Sequence, residues 1–139
     1  MRPHPVFGTL LLVGACGGGP YYTTLTATPL AGPDDAIACA RGKLRSMGYQ
    51  ETSYDQLDHR VIARKTDTSE HRADPLYRRN LDQLEITAAA EADGKTSLTI
   101  VGHTFAEFET HRGPTEEEQR ASAGVKQSSA AIVDSCGRP

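Results

Sequence analysis

Large apolar residues are scarce in this chain of 139 residues, which contains no tryptophan and three phenylalanines. After Cys16, leucine, isoleucine, valine and phenylalanine together number 19, about 15% of the remaining residues. Disorder becomes a concern when the share of these four residue types falls below roughly 20%. Charge of neither sign dominates, because the net charge is −3. A general nucleic-acid binder needs a basic surface, so we expect no nucleic-acid partner.

Catalytic motifs are also lacking. No serine stands in a Gly-x-Ser-x-Gly turn, no His-Glu-x-x-His pair occurs, and no glycine-rich loop follows a strand. His103 and His111 share strand parity with Glu107, but eight strand residues extend about 27 Å, too far for one metal ion. Glu107 and Glu109 are close enough for acid/base catalysis, although a solvated face is the favoured interpretation. We therefore expect no catalytic residue, no metal and no cofactor.

One hydrophobic run is present, at residues 6–15. Its ten residues are too few to span a bilayer as a helix, which takes about 20. Arg2 and the α-amino group precede the run, and the small residues Gly14 and Ala15 end it. This order is typical of a secretory signal peptide.

Residues 13–16, Val-Gly-Ala-Cys, resemble the lipobox of bacterial lipoproteins, in which an aliphatic residue and two small residues precede a cysteine. The resemblance covers the first sixteen residues only. In that family the cysteine thiol takes a diacylglycerol, the leader is cut before it, and the new amine is usually acylated. The resemblance therefore implies a signal peptide at residues 1–15 and a membrane anchor on Cys16. The alternative is a plain secretory leader with an accidental cysteine.

A short tether follows the predicted lipid site, since residues 17–20 are Gly-Gly-Gly-Pro. Such a sequence is flexible, and four residues extend at most about 14 Å, which would keep the folded part near the membrane. Gly17 stands where the lipoprotein family carries the aspartate linked to inner-membrane retention. The resemblance therefore favours the outer membrane, at its periplasmic or surface face, where the source has one.

The two remaining cysteines, Cys39 and Cys136, form an even pair in a chain expected to be exported. A disulfide between them would close a loop of 97 residues. In the chain-entropy model, closing such a loop stabilises the folded state by roughly 4–5 kcal/mol. The alternative is two buried thiols.

Residues 21–139 are predicted to form a single domain. Apolar residues at three- and four-residue spacing predict a helix at 34–47, and Thr115 with Glu118 matches a capping box that would begin a second helix. Asp93-Gly94 predicts a type I′ hairpin. Strands are predicted at 21–27, 49–55, 60–66, 81–91 and 95–111. This order, β-α-β-β-β-β-α, predicts a two-layer α+β fold whose antiparallel sheet of about five strands carries both helices on one face.

The stretch 67–80 is predicted to be a long charged loop, and long loops are often functional. Residues 59–80 carry a net charge of +3, whereas residues 81–118 carry −7. Within the loop, the predicted partner contacts are Arg72, Tyr77, Arg78 and Arg79, because tyrosine and arginine are enriched at binding hot spots. An ordinary solvated surface is the alternative.

These observations predict a non-enzymatic protein of the cell envelope, held by its lipid, that binds another envelope protein or anionic headgroups. Two alternatives stay open: a small membrane-tethered hydrolase or binding enzyme without a recognised motif, and a plain secreted protein. A deep polar pocket would favour the enzyme, and a flat sheet face would favour the binding module.

Overall fold

The computed structural model describes residues 20–138. Six strands and two helices follow one another in the order β1 (Thr23–Ala27), α1 (Pro33–Ser46), β2 (Gln50–Asp55), β3 (Arg60–Asp67), β4 (Tyr77–Ala90), β5 (Thr96–Thr110), β6 (Gly113–Gln119) and α2 (Ala123–Cys136). The predicted α+β class is confirmed. The sheet has six strands rather than about five.

All strand pairs are antiparallel, and the sheet order is β1-β5-β4-β3-β2. β6 pairs with the second half of β5, on the same edge that β1 occupies along the first half. Thr23 opposes Gly102 and Gln119 opposes Thr104, so the start of β1 and the end of β6 lie next to each other. The segment before β1 therefore leaves the domain at the middle of this edge.

The predicted helix start at Thr115 is wrong, because residues 113–119 form β6. The local capping signal is overridden by a ladder with β5 and by the pairing of the Glu116 and Glu118 carboxylates with Arg64 and His103. Helix α2 begins after Ser122 instead, whose hydroxyl accepts a hydrogen bond from the amide of Val125 at 3.0 Å.

The predicted hairpin between β4 and β5 is confirmed, but its turn is not type I′. A type I′ turn needs positive φ at both central residues, and here Gly94 has φ 80° while Asp93 does not. The amide of Gly94 donates to the carbonyl of Glu91 at 3.0 Å, and the Asp93 carboxylate accepts from the amide of Lys95. This is a three-residue loop with glycine in the left-handed position.

Both helices pack on one face of the sheet, here called the inner face. Its core consists of small and medium apolar side chains, which suits the scarcity of large ones. Gly102 pairs in regular register and leaves room for α2, since an added Cβ would lie 3.2 Å from Val125 Cγ1. The buried side chains include Ile37, Ala40 and Leu44 of α1, Val61 and Ala63 of β3, Leu84, Ile86 and Ala88 of β4, Leu98 and Ile100 of β5, and Val125 and Ile132 of α2.

The predicted disulfide between Cys39 and Cys136 is present, with the two Cα atoms 5.7 Å apart. It joins the middle of α1 to the last residue of α2, so the two helices are covalently linked above the inner face. Cys136 is buried, whereas Cys39 is exposed to solvent.

Candidate binding surfaces

The predicted loop at 67–80 is shorter in the structure, because β3 runs to Asp67 and β4 begins at Tyr77. The β4 strand starts earlier than predicted because Tyr77 pairs with Phe108 of β5, and the two rings meet edge to face with centroids 5.9 Å apart. The connection that remains, residues 68–76, is here called the β3–β4 loop.

The β3–β4 loop is held against the end of the sheet by Glu70. Its carboxylate accepts hydrogen bonds from Arg72 Nε, at 2.9 Å, and from the side-chain Nδ2 of Asn80, and these bonds lower the pKa of Glu70. The Arg72 guanidinium in turn lies 4.6 Å from the ring centroid of Tyr77, within cation–π range. The loop is therefore an ordered surface, and burial beneath it raises the pKa of Tyr77.

The four predicted contact residues do not form one patch. Arg72 and Tyr77 lie together, but Tyr77 is only 9% exposed and Arg72 already pairs with Glu70. Arg79 forms an ion pair with Glu107 at 3.0 Å on the opposite face of the sheet. Arg78 is exposed, with its Nη1 bonded to the carbonyl of Pro75. Their role in partner contact stays a prediction.

The face of the sheet opposite the helices, here called the outer face, is crossed by a row of rings. The ring of Tyr22 lies 5.6 Å from that of His103, which stacks at 5.9 Å on Phe105. The guanidinium of Arg64 lies 5.4 Å from the Phe105 ring. Within residues 20–138, neither helix lies on this face, so the row of rings is partly exposed.

Ion pairs between strands surround this row of rings. Three of them join an arginine of the basic segment to a carboxylate of the acidic segment on another strand, and the fourth joins His103 to Glu118 within the acidic segment. The uneven charge along the chain is therefore compensated in part on the outer face. The pairs are Arg60–Glu85 at 2.7 Å, Arg64–Glu116 at 2.8 Å, Arg79–Glu107 at 3.0 Å and His103–Glu118 at 2.7 Å.

The row of rings on the outer face is not among the features predicted from the sequence. Tyr22 and Arg64 are distant in sequence from β5, and only the strand register brings them beside it. The alternation of His103 and Phe105 along β5 was a usable signal, since residues two apart share one face of a strand.

A polar cavity opens on the inner side, between the last residues of β3, the first half of β4 and the start of α2. The carboxylate of Asp82, only 5% exposed, accepts hydrogen bonds from Thr104 Oγ1 at 2.7 Å and from Ser122 Oγ at 2.9 Å. Lys65 Nζ donates to the carbonyl of Met47 at 2.9 Å. These charged groups attach α2 to β4 and the end of α1 to β3. The lining residues are Tyr49, Lys65, Thr66, Asp67, Asp82, Gly124 and Ser128.

Buried Tyr49 closes the cavity, and burial raises the pKa of its phenol while a hydrogen bond with Ser128 opposes the rise. His103 and Glu107, two of the three residues considered above for metal binding, are each paired with another residue, Glu118 and Arg79 respectively. Across residues 20–138, no three histidine, cysteine or acidic side chains come close enough together to hold a metal ion.

No helix in the described part of the chain is both long and apolar enough to cross a bilayer. The predicted lipid site, Cys16, lies outside the described residues, as do residues 1–15 and most of the tether. A scan against protein-family models and a search among curated proteins both find no match to this chain.

Proposed function

We propose that this chain is a lipoprotein of a bacterial cell envelope, anchored through Cys16, whose domain acts by contact rather than by catalysis. The anchor rests on the ordered sequence of residues 1–16, and the absence of aspartate at Gly17 favours the outer membrane. A protein of the cell envelope has to be exported from the cytosol, so a feature of the folded domain that is typical of exported proteins supports the proposal.

The Cys39–Cys136 disulfide is the observation that carries this proposal. Disulfides persist in oxidising compartments and are rare in the cytosol, where thiol reductants keep cysteines reduced. Because Cys39 is exposed, burial does not protect the bond from such reductants. A domain that contains this link is therefore suited to the periplasm or the cell surface.

Contact with another envelope protein is supported by the surface beside the β3–β4 loop. Leu76 is 50% exposed and lies two residues from exposed Arg78, which offers an apolar and a cationic group together. The bonds of Glu70 and the stacking of Arg72 on Tyr77 hold the loop in place. An ordered surface loses little conformational entropy on binding, which favours affinity.

The anchor is tested by detergent phase partition of the full chain expressed in a bacterium. Wild type should enter the detergent-rich phase, and Cys16→Ser should enter the aqueous phase with its disulfide intact. Wild-type protein in the aqueous phase would reject the lipid anchor and leave the plain secreted protein as the remaining interpretation.

Partner contact is tested by crosslinking in intact cells. Arg78→Glu should abolish the main crosslinked product, whereas Lys126→Glu, the same charge reversal at an exposed site on α2, should leave it unchanged. Equal loss in both variants, or no loss in either, rejects the β3–β4 surface as the contact.

A further inference from the structure

We propose that Tyr21 and Tyr22 lie in the headgroup layer of the membrane that holds Cys16, so that the domain has a defined orientation on the bilayer. This inference rests on the proposed lipid anchor. It adds a second contact with the membrane, built from the folded domain itself, and it identifies the edge formed by β1 and β6 as the side that faces the lipid.

The reach of the chain brings this pair to the membrane. Tyr21 follows Cys16 by five residues, which extend at most about 17 Å. The acyl chains of a lipidated cysteine lie in the hydrocarbon core, and the headgroup layer above it is about 5–7 Å thick. Of the residues that the structure describes, Pro20 and the two tyrosines after it are therefore the first that can contact lipid.

The two tyrosines are presented by a fixed backbone. The amide of Ala121 donates a hydrogen bond to the carbonyl of Tyr21 at 2.7 Å, which joins the segment before β1 to the segment after β6. Tyr22 packs its ring against His103, and Thr23 begins the β1 ladder. Because this segment is fixed to the sheet, placing the two tyrosines in the membrane would also fix the orientation of the sheet.

The exposure and chemistry of the pair suit a headgroup layer. Tyr21 is 54% exposed and Tyr22 is 47% exposed, which is high for aromatic side chains on an ordered segment. A tyrosine has an apolar ring and a polar hydroxyl, and tyrosine is enriched where membrane proteins cross the headgroup region. In the headgroup layer the apolar ring can contact the upper part of the acyl chains, while the hydroxyl forms hydrogen bonds with headgroups or water.

The charges around the pair do not oppose this contact. His103, whose ring lies against that of Tyr22, is hydrogen-bonded to the carboxylate of Glu118 at 2.7 Å, and exposed Arg120 lies beside Ala121. A cation at this position is attracted to the negative surface of bilayers that contain anionic lipid. Arg120 thus offsets part of the negative charge of β6 where this strand approaches Tyr21.

Because the chain has no tryptophan, single-tryptophan variants report on each position separately. Tyr21→Trp tests the proposed contact, and Tyr54→Trp is the matched control, since Tyr54 is exposed on β2 at the far edge of the sheet. The lipidated proteins are reconstituted into phosphatidylethanolamine–phosphatidylglycerol vesicles whose acyl chains carry bromine near the headgroup. The tryptophan fluorescence of Tyr21→Trp should shift to the blue, and the bromine should quench most of its intensity. The fluorescence of Tyr54→Trp should neither shift nor be quenched.

Flotation of the same samples separates this inference from the anchor. Lipidated protein that floats with vesicles while Tyr21→Trp remains unquenched would keep the anchor and overturn the tyrosine contact. Equal quenching at both positions would also overturn it, because the domain would then have no preferred orientation. Protein that does not float, or a Cys16→Ser form that floats equally well, would contradict the anchor and this inference with it.

Discussion

The two faces of the sheet differ in what holds them together. On the inner face, Leu84, Ile86, Leu98 and Ile100 are fully buried beneath two helices joined by a disulfide. On the outer face, alternate residues of the same strands form ion pairs and a row of rings that solvent reaches. One strand thus serves both purposes, since its inward side chains stabilise the domain and its outward ones remain available for contact.

Loss of the disulfide, which lies on the inner side of the sheet, should have the largest effect on stability. Replacing both Cys39 and Cys136 with alanine should lower the free energy of unfolding by about 4–5 kcal/mol, because the unfolded chain regains the freedom of a 97-residue loop. Urea unfolding with and without reductant measures this. A reductant that leaves the wild-type midpoint unchanged would show that the link adds little stability.

Core truncation should separate the two faces directly. Leu84→Ala on the inner face should cost about 2–5 kcal/mol, because it removes contacts and leaves a cavity between β4 and the helices. Val101→Ala, on the outer face of neighbouring β5, should cost clearly less, since its side chain is already partly exposed. Equal losses by urea unfolding would mean that something covers the outer face.

Acid should weaken one contact that reaches from α1 to β2. Arg41 donates to Glu51 at 2.7 and 2.9 Å, which lowers the pKa of that carboxyl below its unfolded value. The ion pair therefore stabilises the fold above the unfolded pKa of about 4.3, and the stability is lost as the pH falls through the lower folded value. Glu51→Gln should flatten this acidic limb of the stability profile. An unchanged profile would contradict the assignment.

Ion pairs on the outer face should matter least for stability. A double-mutant cycle of Arg79→Ala and Glu107→Ala should give a coupling of less than about 1 kcal/mol, as is typical of exposed pairs. A coupling of several kcal/mol, comparable to a core truncation, would remove the distinction between the faces.

Local sequence signals predicted the elements that local interactions stabilise. Helix α1 was expected at 34–47 and lies at Pro33–Ser46, because its apolar stripe, its starting proline and Gly48 with φ 85° all act within one segment. Leu84, Ile86 and Ala88 likewise alternate along the strand predicted at 81–91, and all three are buried on the inner face of β4.

Elements that depend on distant partners were missed. The segment at Glu116 and Glu118 satisfies a capping pattern, yet a ladder with β5 and pairs with Arg64 and His103 make it a strand. The contact residues were chosen from a loop, but the pairing of Tyr77 with Phe108 extends β4 into that loop and places Arg79 on the outer face. Neither partner can be identified from sequence spacing alone.

Intact mass spectrometry of the protein extracted from bacterial membranes decides whether Cys16 carries lipid. We expect a chain that begins at Cys16, with added mass equal to a diacylglyceryl group and a further acyl chain, and with the Cys39–Cys136 disulfide formed. A mass that matches an unmodified chain, or one that begins at another residue, would contradict this expectation.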